Sequence, residues 1–556
     1  LVASWQVAVD AGASSDYGLT AVTVQTSTTA QQRVLARTGL DVVDHGDTAA
    51  EVWLYGAADL ATLRATGLQY RVVDYSRQAE AMRRLRASEA AHQAQVDAGD
   101  AAGSALPTGR VAYRTLTEIE AEIQALAAAH PDTARLLVLP NKSLLGRTVY
   151  GIKISRNVAV DSGEPVFLMS GVHHAREWPT AELTLEFAHD ALESDGTDPR
   201  ITNLLDQSTV IIVPVVNVDG FDMSRSLTHE QKRKNCRVAP GQIPTREQCA
   251  SAANAQSGVD PNRNYAAFWD GAGSSRDLTA ENYHGEAPLS EPEIRNMVEL
   301  TRTSNVTVAV HNHTPDAKVL RAPSSPEEPV PAEVDGYQAL AAQLGKVFGW
   351  PAGPWHDIYY DASGVAEQHA FYTQNIFAFT PEMTPGFSGL ERFHPPYSAV
   401  VEQYTGTGRY ATSHAREAWL QAWEAAVNPA LHSVLTATAP AGATLTLRKA
   451  VSVDSSCPLN PVYAVQRPDG CPVPDAGPQP LVYRTPVQLD MTMTVPADGV
   501  VRWHVSPSSR PNQYASTLLA GSYTVTCTPV SGAAATATAT VARGQTASVD
   551  LSACGR

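Results

Sequence analysis

Four apolar runs, at residues 166–169, 210–216, 306–310 and 376–380, constrain this 556-residue chain more than any other feature. A strand with water on one side alternates apolar and polar residues. These runs do not, so each is expected to be covered on both faces. Between them Leu183, Leu185, Phe187, Ala188 and Leu192 recur at helical spacing, and residues 118–130 and 414–426 read as further helices. With two more strands at 134–139 and 149–154, the pattern predicts an α/β domain, a mixed sheet with helices on both faces.

The chain is too long for one core, and its texture divides it into four parts. Residues 1–75 make two passes of strand, helix and strand, with Gly39 and Gly67 near the helix ends. That order predicts a ferredoxin-like α+β sandwich. Residues 76–110 are a helix-forming connector followed by a Gly- and Pro-containing loop. The α/β region occupies 111–428. Residues 429–556 are rich in Thr, Val and Gly, with short alternating runs that predict an all-β sandwich.

A net charge of −16 argues against nucleic acid and anionic membrane surfaces as partners. No apolar run approaches the length needed to span a bilayer. The chain has neither a starting Met nor a signal peptide, so we expect it to begin after processing or trimming. Six cysteines fall into local couples, Cys236 with Cys249, Cys457 with Cys471 and Cys527 with Cys554, and none forms Cys-x-x-Cys. Sequential disulfides and a secreted, extracellular protein are the expectation.

Chemistry concentrates in the α/β region. His174 and Glu177 sit three apart where the run at 166–169 turns into a helix, with Pro179 in the first helical turn. The run at 306–310 delivers His311, with His313 two residues on and on the same face. His174, Glu177 and His311 would make a zinc site with an open fourth position, with His313 as the rival ligand and register favouring His311. Asp260 could hydrogen-bond a ligand histidine, and Glu382, at another strand end, could serve as base. Arg233, Arg263 and Tyr360 are suited to an anion.

Together these motifs resemble the zinc metallocarboxypeptidases of the pancreatic carboxypeptidase A type. The resemblance runs from about Tyr113 to Val427, through Gly-Val-His-His-Ala-Arg-Glu-Trp at 171–178, Arg-Lys-Asn at 233–235 and Gly-Val-Asp-Pro-Asn-Arg-Asn at 258–264. It continues through Tyr-His-Gly at 283–285, Ser-Glu-Pro-Glu at 290–293 and Thr-Pro-Glu at 380–382. It implies one zinc ion on His174, Glu177 and His311, with Glu382 as general base and Arg233 on the oxyanion. It further implies that Asn262, Arg263 and Tyr360 hold the terminal carboxylate of a peptide or protein, with Arg176 in an outer subsite. Asp260 would orient His174. The N-terminal unit would be a propeptide, cut by an activating protease between about Arg77 and Arg110. A secreted bacterial form acting as a monomer is expected.

Several positions depart from the animal enzymes. Lys232 replaces an aromatic residue, Cys236 falls three residues after Arg233, and Asn312 and His313 replace a serine and a tyrosine. Glu367 stands where the family places the residue that selects the C-terminal side chain, which predicts a preference for basic C-termini. Two other readings compete: a zinc peptidase acting on peptidoglycan peptides, and a non-catalytic binding protein.

Overall fold

The computed structural model describes residues 19–456, apart from 37, 47, 157 and 327, and residues 483–556. Its centre is an eight-stranded mixed sheet. Four parallel strands, Phe377–Pro381, Val306–His311, Val166–Ser170 and Thr209–Val213, lie side by side in that order. Tyr150–Ile154 and then Ala134–Val138 extend the Thr209–Val213 edge antiparallel. Every residue of the four parallel strands is buried. Successive side chains point to opposite faces, so both faces are covered, as the apolar runs require. Two strands of three residues, Val319–Arg321 and Ala352–Pro354, complete the other edge and are too short to leave a period in the sequence.

The helices follow ordinary end rules. Leu116–Ala129 opens on a capping box in which Thr115 and Glu118 satisfy each other's backbone N–H groups. Trp178–Glu193 carries Pro179 in its first turn, where no intrahelical donor is lost.

Before this sheet, Asp41–His45, Ala49–Leu54, Thr20–Gln25 and Tyr70–Val73 form an antiparallel sheet in that order. The strands and two helices, Thr29–Ala36 and Ala57–Ala65, follow the ferredoxin-like order. One face of the sheet packs Val22, Val24 and Val52 against Leu35 and Leu63. The other packs Ala21, Val43 and Trp53 against Met82 of the connecting helix Ser76–Asp97 and against Leu390 and Phe393. The N-terminal unit therefore leans on the end of the large sheet where residues 382–394 emerge.

After the large sheet comes a β sandwich. A three-stranded sheet (Val500–Val505, Ser433–Thr438, Thr546–Asp550) faces a four-stranded one (Arg484–Thr494, Thr444–Asp454, Tyr523–Thr528, Ala535–Ala539). Leu435, Leu445, Leu447, Trp503 and Val525 fill the space between. Disulfides join Cys236 to Cys249 and Cys527 to Cys554, as expected. The Cys457–Cys471 couple lies outside the described residues. No helix among the described residues is long and apolar enough to cross a membrane.

Candidate metal centre and cleft

The C-terminal ends of the parallel strands bring the polar residues together, where α/β sheets place their sites. The chain leaves Val166–Ser170 into the turn that holds His174 and Glu177. It leaves Val306–His311 toward His313, and Phe377–Pro381 directly into Glu382. His174 Nδ1 lies 2.7 Å from Glu177 Oε1. His313 Nδ1 lies 3.1 Å from Glu177 Oε2 and 3.1 Å from His174 Nδ1. One ligand atom from each of the three lies within 4.8 Å of the others, and all three residues are buried.

His311 is not part of this group, which corrects the expectation that it is the third ligand. Its strand pairs it with Ser170, and its Nδ1 lies 2.8 Å from Ser170 Oγ. The backbone reaches the centre only two residues later. There the His313 N–H donates to Pro381 O at 3.0 Å, and Met383 N–H returns a bond to His313 O at 2.7 Å. His173, the neighbour of His174, turns to the Tyr265 hydroxyl at 2.9 Å.

The donor set fits zinc: two imidazoles and one carboxylate. Burial opposes charge on Glu177, yet His174 and His313 beside it hold it well below the usual carboxylate range. His174 Nε2 lies 3.2 Å from Asp260 Oδ1, which leaves Nδ1 facing the centre. Asp260 also accepts from Arg233 Nη2 at 2.7 Å. Burial alone would raise Asp260, but Arg233, His174 and Arg263 together keep it well below its ordinary value.

A cleft of about 500 Å³ opens beside the metal ligands. His174, Arg176, Glu177, Arg233, Arg263, Tyr360 and Glu382 all line it. One Glu382 carboxylate oxygen is buried without a hydrogen-bond partner. Burial, then the nearby Glu177 and Asp316 carboxylates, push Glu382 well above the carboxylate range. A dication at the centre would pull the other way. Arg263 donates to Gly273 O at 3.0 Å and to Asn262 O at 2.7 Å, and its guanidinium lies 5.9 Å from the Tyr360 ring. Asn262 accepts from Ala366 N–H at 3.1 Å.

Glu367 does not line the cleft; it is fully buried and accepts a hydrogen bond from Thr380. Its other oxygen has no partner, and burial pushes it up to about 7. Leu320, Trp355, Ala362 and Val365 form an apolar cluster next to the Tyr360 segment. Lys232 points away from the cleft, its ammonium donating to Ser257 O at 2.9 Å.

The far wall of the cleft comes from the N-terminal unit. Asp41 forms a two-armed ion pair with Arg176, at 2.5 and 2.9 Å. Asp41 and Arg176 lie 135 residues apart, so no local pattern announces the pair. Glu281, also in the cleft, escaped notice too, although it stands two residues before the Tyr283-His284-Gly285 motif.

A family profile described as zinc carboxypeptidase matches residues 119–407, more than half of the chain. Carboxypeptidase A1 of Rattus norvegicus is 30% identical over 298 residues, covering 52% of this chain and 66% of that protein. Carboxypeptidase B of the same species is 26% identical over 317 residues, covering 55% and 71%. The chain thus matches about two-thirds of the length of these curated relatives. Carboxypeptidase A of Helicoverpa armigera shares the fold, with a TM-score of 0.58 at 22% identity over 74% of this chain and 98% of that one. On the extent of the family match, the chain belongs to the zinc carboxypeptidase family, M14.

Proposed function

We propose that this chain is a zinc-dependent metallocarboxypeptidase that hydrolyses the C-terminal peptide bond of peptides and proteins and is held as a zymogen. One observation carries the reading: His174, Glu177 and His313 converge at the end of a cleft that also presents Glu382, Arg233 and Arg263. One zinc ion held by those three side chains would supply the Lewis acidity that makes a water nucleophilic near neutral pH.

The chain's own residues divide the remaining work. Glu382 takes the proton of the attacking water on its carboxylate and returns it to the leaving amine. Arg233, fixed by Asp260, faces the oxygen on which negative charge develops. Asn262, Arg263 and Tyr360 hold the free terminal carboxylate, which confines cleavage to the last residue. Arg176 serves an outer subsite, and Asp260 orients His174. Glu367, fully buried at the start of the helix Ala366–Gln374, serves as the base of the pocket for the C-terminal side chain and favours Lys or Arg there.

Two features support a zymogen. The N-terminal unit roofs the cleft, and Asp41 occupies Arg176 in place of a substrate. Cutting within residues 77–110 by an activating protease would free that unit. Disulfides agree with an extracellular setting.

The test is Glu382→Gln in the cleaved, zinc-loaded protein. We expect bound zinc to stay at one per chain while kcat on a free-acid peptide falls by about 10²–10⁴. Undiminished kcat, or no zinc in the parent protein, would defeat the reading.

A further inference from the structure

We propose that the C-terminal β unit is part of the substrate pocket: through Ser456 and Arg510 it positions the backbone that sets Arg263 and Asn262. The proposal rests on the reading of those two residues as the carboxylate clamp. Arg263 is aimed by two carbonyls, that of Asn262 and that of Gly273, which accepts from its Nε at 3.0 Å. Gly273 lies next to the end of an irregular segment, residues 265–274, in which Phe268 and Asp270 both adopt left-handed backbone, at φ 55° and 68°. Non-glycine residues keep that conformation only where their surroundings impose it.

The β unit holds Phe268 and Trp269, while Arg276 and His284 hold Asp270 from within the α/β domain. As the strand Thr444–Asp454 ends, the Phe268 N–H donates to Asp454 O at 3.0 Å, and the Ser456 N–H donates to Trp269 O at 2.8 Å. The Ser456 hydroxyl adds a bond to Phe268 O at 2.9 Å. Ser456 is 1% exposed. On the other side the segment abuts the chain after Tyr360. A Cβ on Gly271 would lie 2.2 Å from Ser456 Oγ and 3.0 Å from Ser363 Cβ, and one on Gly273 would lie 1.7 Å from Asp361 O. No slack remains between the β unit and the clamp.

Arg510 makes the second link. Its guanidinium donates to Tyr372 O at 3.0 Å and to Ser452 O at 2.7 Å. It thereby ties the sandwich to the helix Ala366–Gln374. The first N–H of that helix is the one that donates to Asn262 Oδ1. Tyr372 also meets Phe268 edge to face at 4.9 Å between ring centroids, which joins the two links. A module merely tethered to the enzyme would make neither link.

Arg510→Ala, Arg510→Lys and Ser456→Ala, each in the full chain cleaved as for activation and loaded with zinc, test the proposal. For a free-acid peptide we expect KM to rise about fivefold or more in Arg510→Ala, with kcat held within about twofold. Ser456→Ala should move KM in the same direction. Arg510→Lys should recover part of the loss, because an ammonium can still donate to the Tyr372 and Ser452 carbonyls. Lower melting temperatures with unchanged KM in both alanine variants would overturn the proposal. So would an Arg510→Lys variant no better than Arg510→Ala. If the parent protein cleaves the peptide amide as readily as the free acid, the clamp reading fails instead, and this inference fails with it.

Discussion

At the scale of single residues, His311 ends its strand and His313 lies two residues beyond, and they differ in what they meet. His311 is spent on Ser170, whereas His313 meets His174 and Glu177. His313→Ala should therefore lose bound zinc, and His311→Ala should keep it, as read by metal analysis of the purified proteins. The opposite pattern would restore His311 as ligand. The period of two that would place both histidines on one face is legible in the sequence. How far the chain runs before it reaches the metal is not, because register is set by pairing with Val166–Ser170. Glu367 yields a second residue-scale prediction. Its carboxyl is pushed up to about 7 by burial, so it ionises as pH rises through that value. The ratio of kcat/KM for Lys-ending over Leu-ending peptides should grow about tenfold between pH 6 and pH 8. It should be flat in Glu367→Gln, and an equal slope in both proteins would remove Glu367 from specificity.

At the scale of elements, the helix Ala366–Gln374 and the loop before it carry much of the pocket. Glu328, in the loop between Val319–Arg321 and the helix Asp335–Phe348, accepts from the N–H groups of Ser324 and Ser325 and from Gln368 Nε2 of the helix Ala366–Gln374, and burial pushes it up to about 7 from a usual 4.5. A carboxyl raised on folding contributes fully below its unfolded value and loses that contribution as pH rises through its folded value. Glu328→Gln keeps the accepting oxygen and cannot ionise. Its unfolding free energy relative to the parent should rise by about 3 kcal/mol between pH 4.5 and pH 8, read from denaturant titrations. A constant difference across that range would show that Glu328 ionises in the folded protein at its ordinary value, its burial offset by a partner. Elements with long apolar runs, such as Val306–His311, were legible because burial on both faces writes itself into composition. The strands Val319–Arg321 and Ala352–Pro354 were not, since three residues hold no period and only the sheet edge gives them partners.

At the scale of the whole molecule, the N-terminal unit and the α/β domain line one cleft, and the β sandwich packs outside it. The N-terminal sheet turns Val43 and Trp53 toward Phe393 and sends Asp41 to Arg176. The β sandwich touches Phe268 through Ser456 and Tyr372 through Arg510. The order of these units was readable from shifts in composition. Their docking was not, since it rests on pairs far apart in sequence, such as Asp41 with Arg176 and Arg510 with Tyr372. The account stands or falls on one measurement. The zinc-loaded chain, before and after proteolytic removal of its N-terminal unit, is assayed on a peptide with a free C-terminal carboxylate and on the same peptide as its amide, with and without a chelator. We predict that hydrolysis of the free acid appears on removal of that unit and disappears with chelator, while the amide stays intact. Equal cleavage of free acid and amide, or activity that survives metal removal, would contradict a zinc carboxypeptidase built on this cleft.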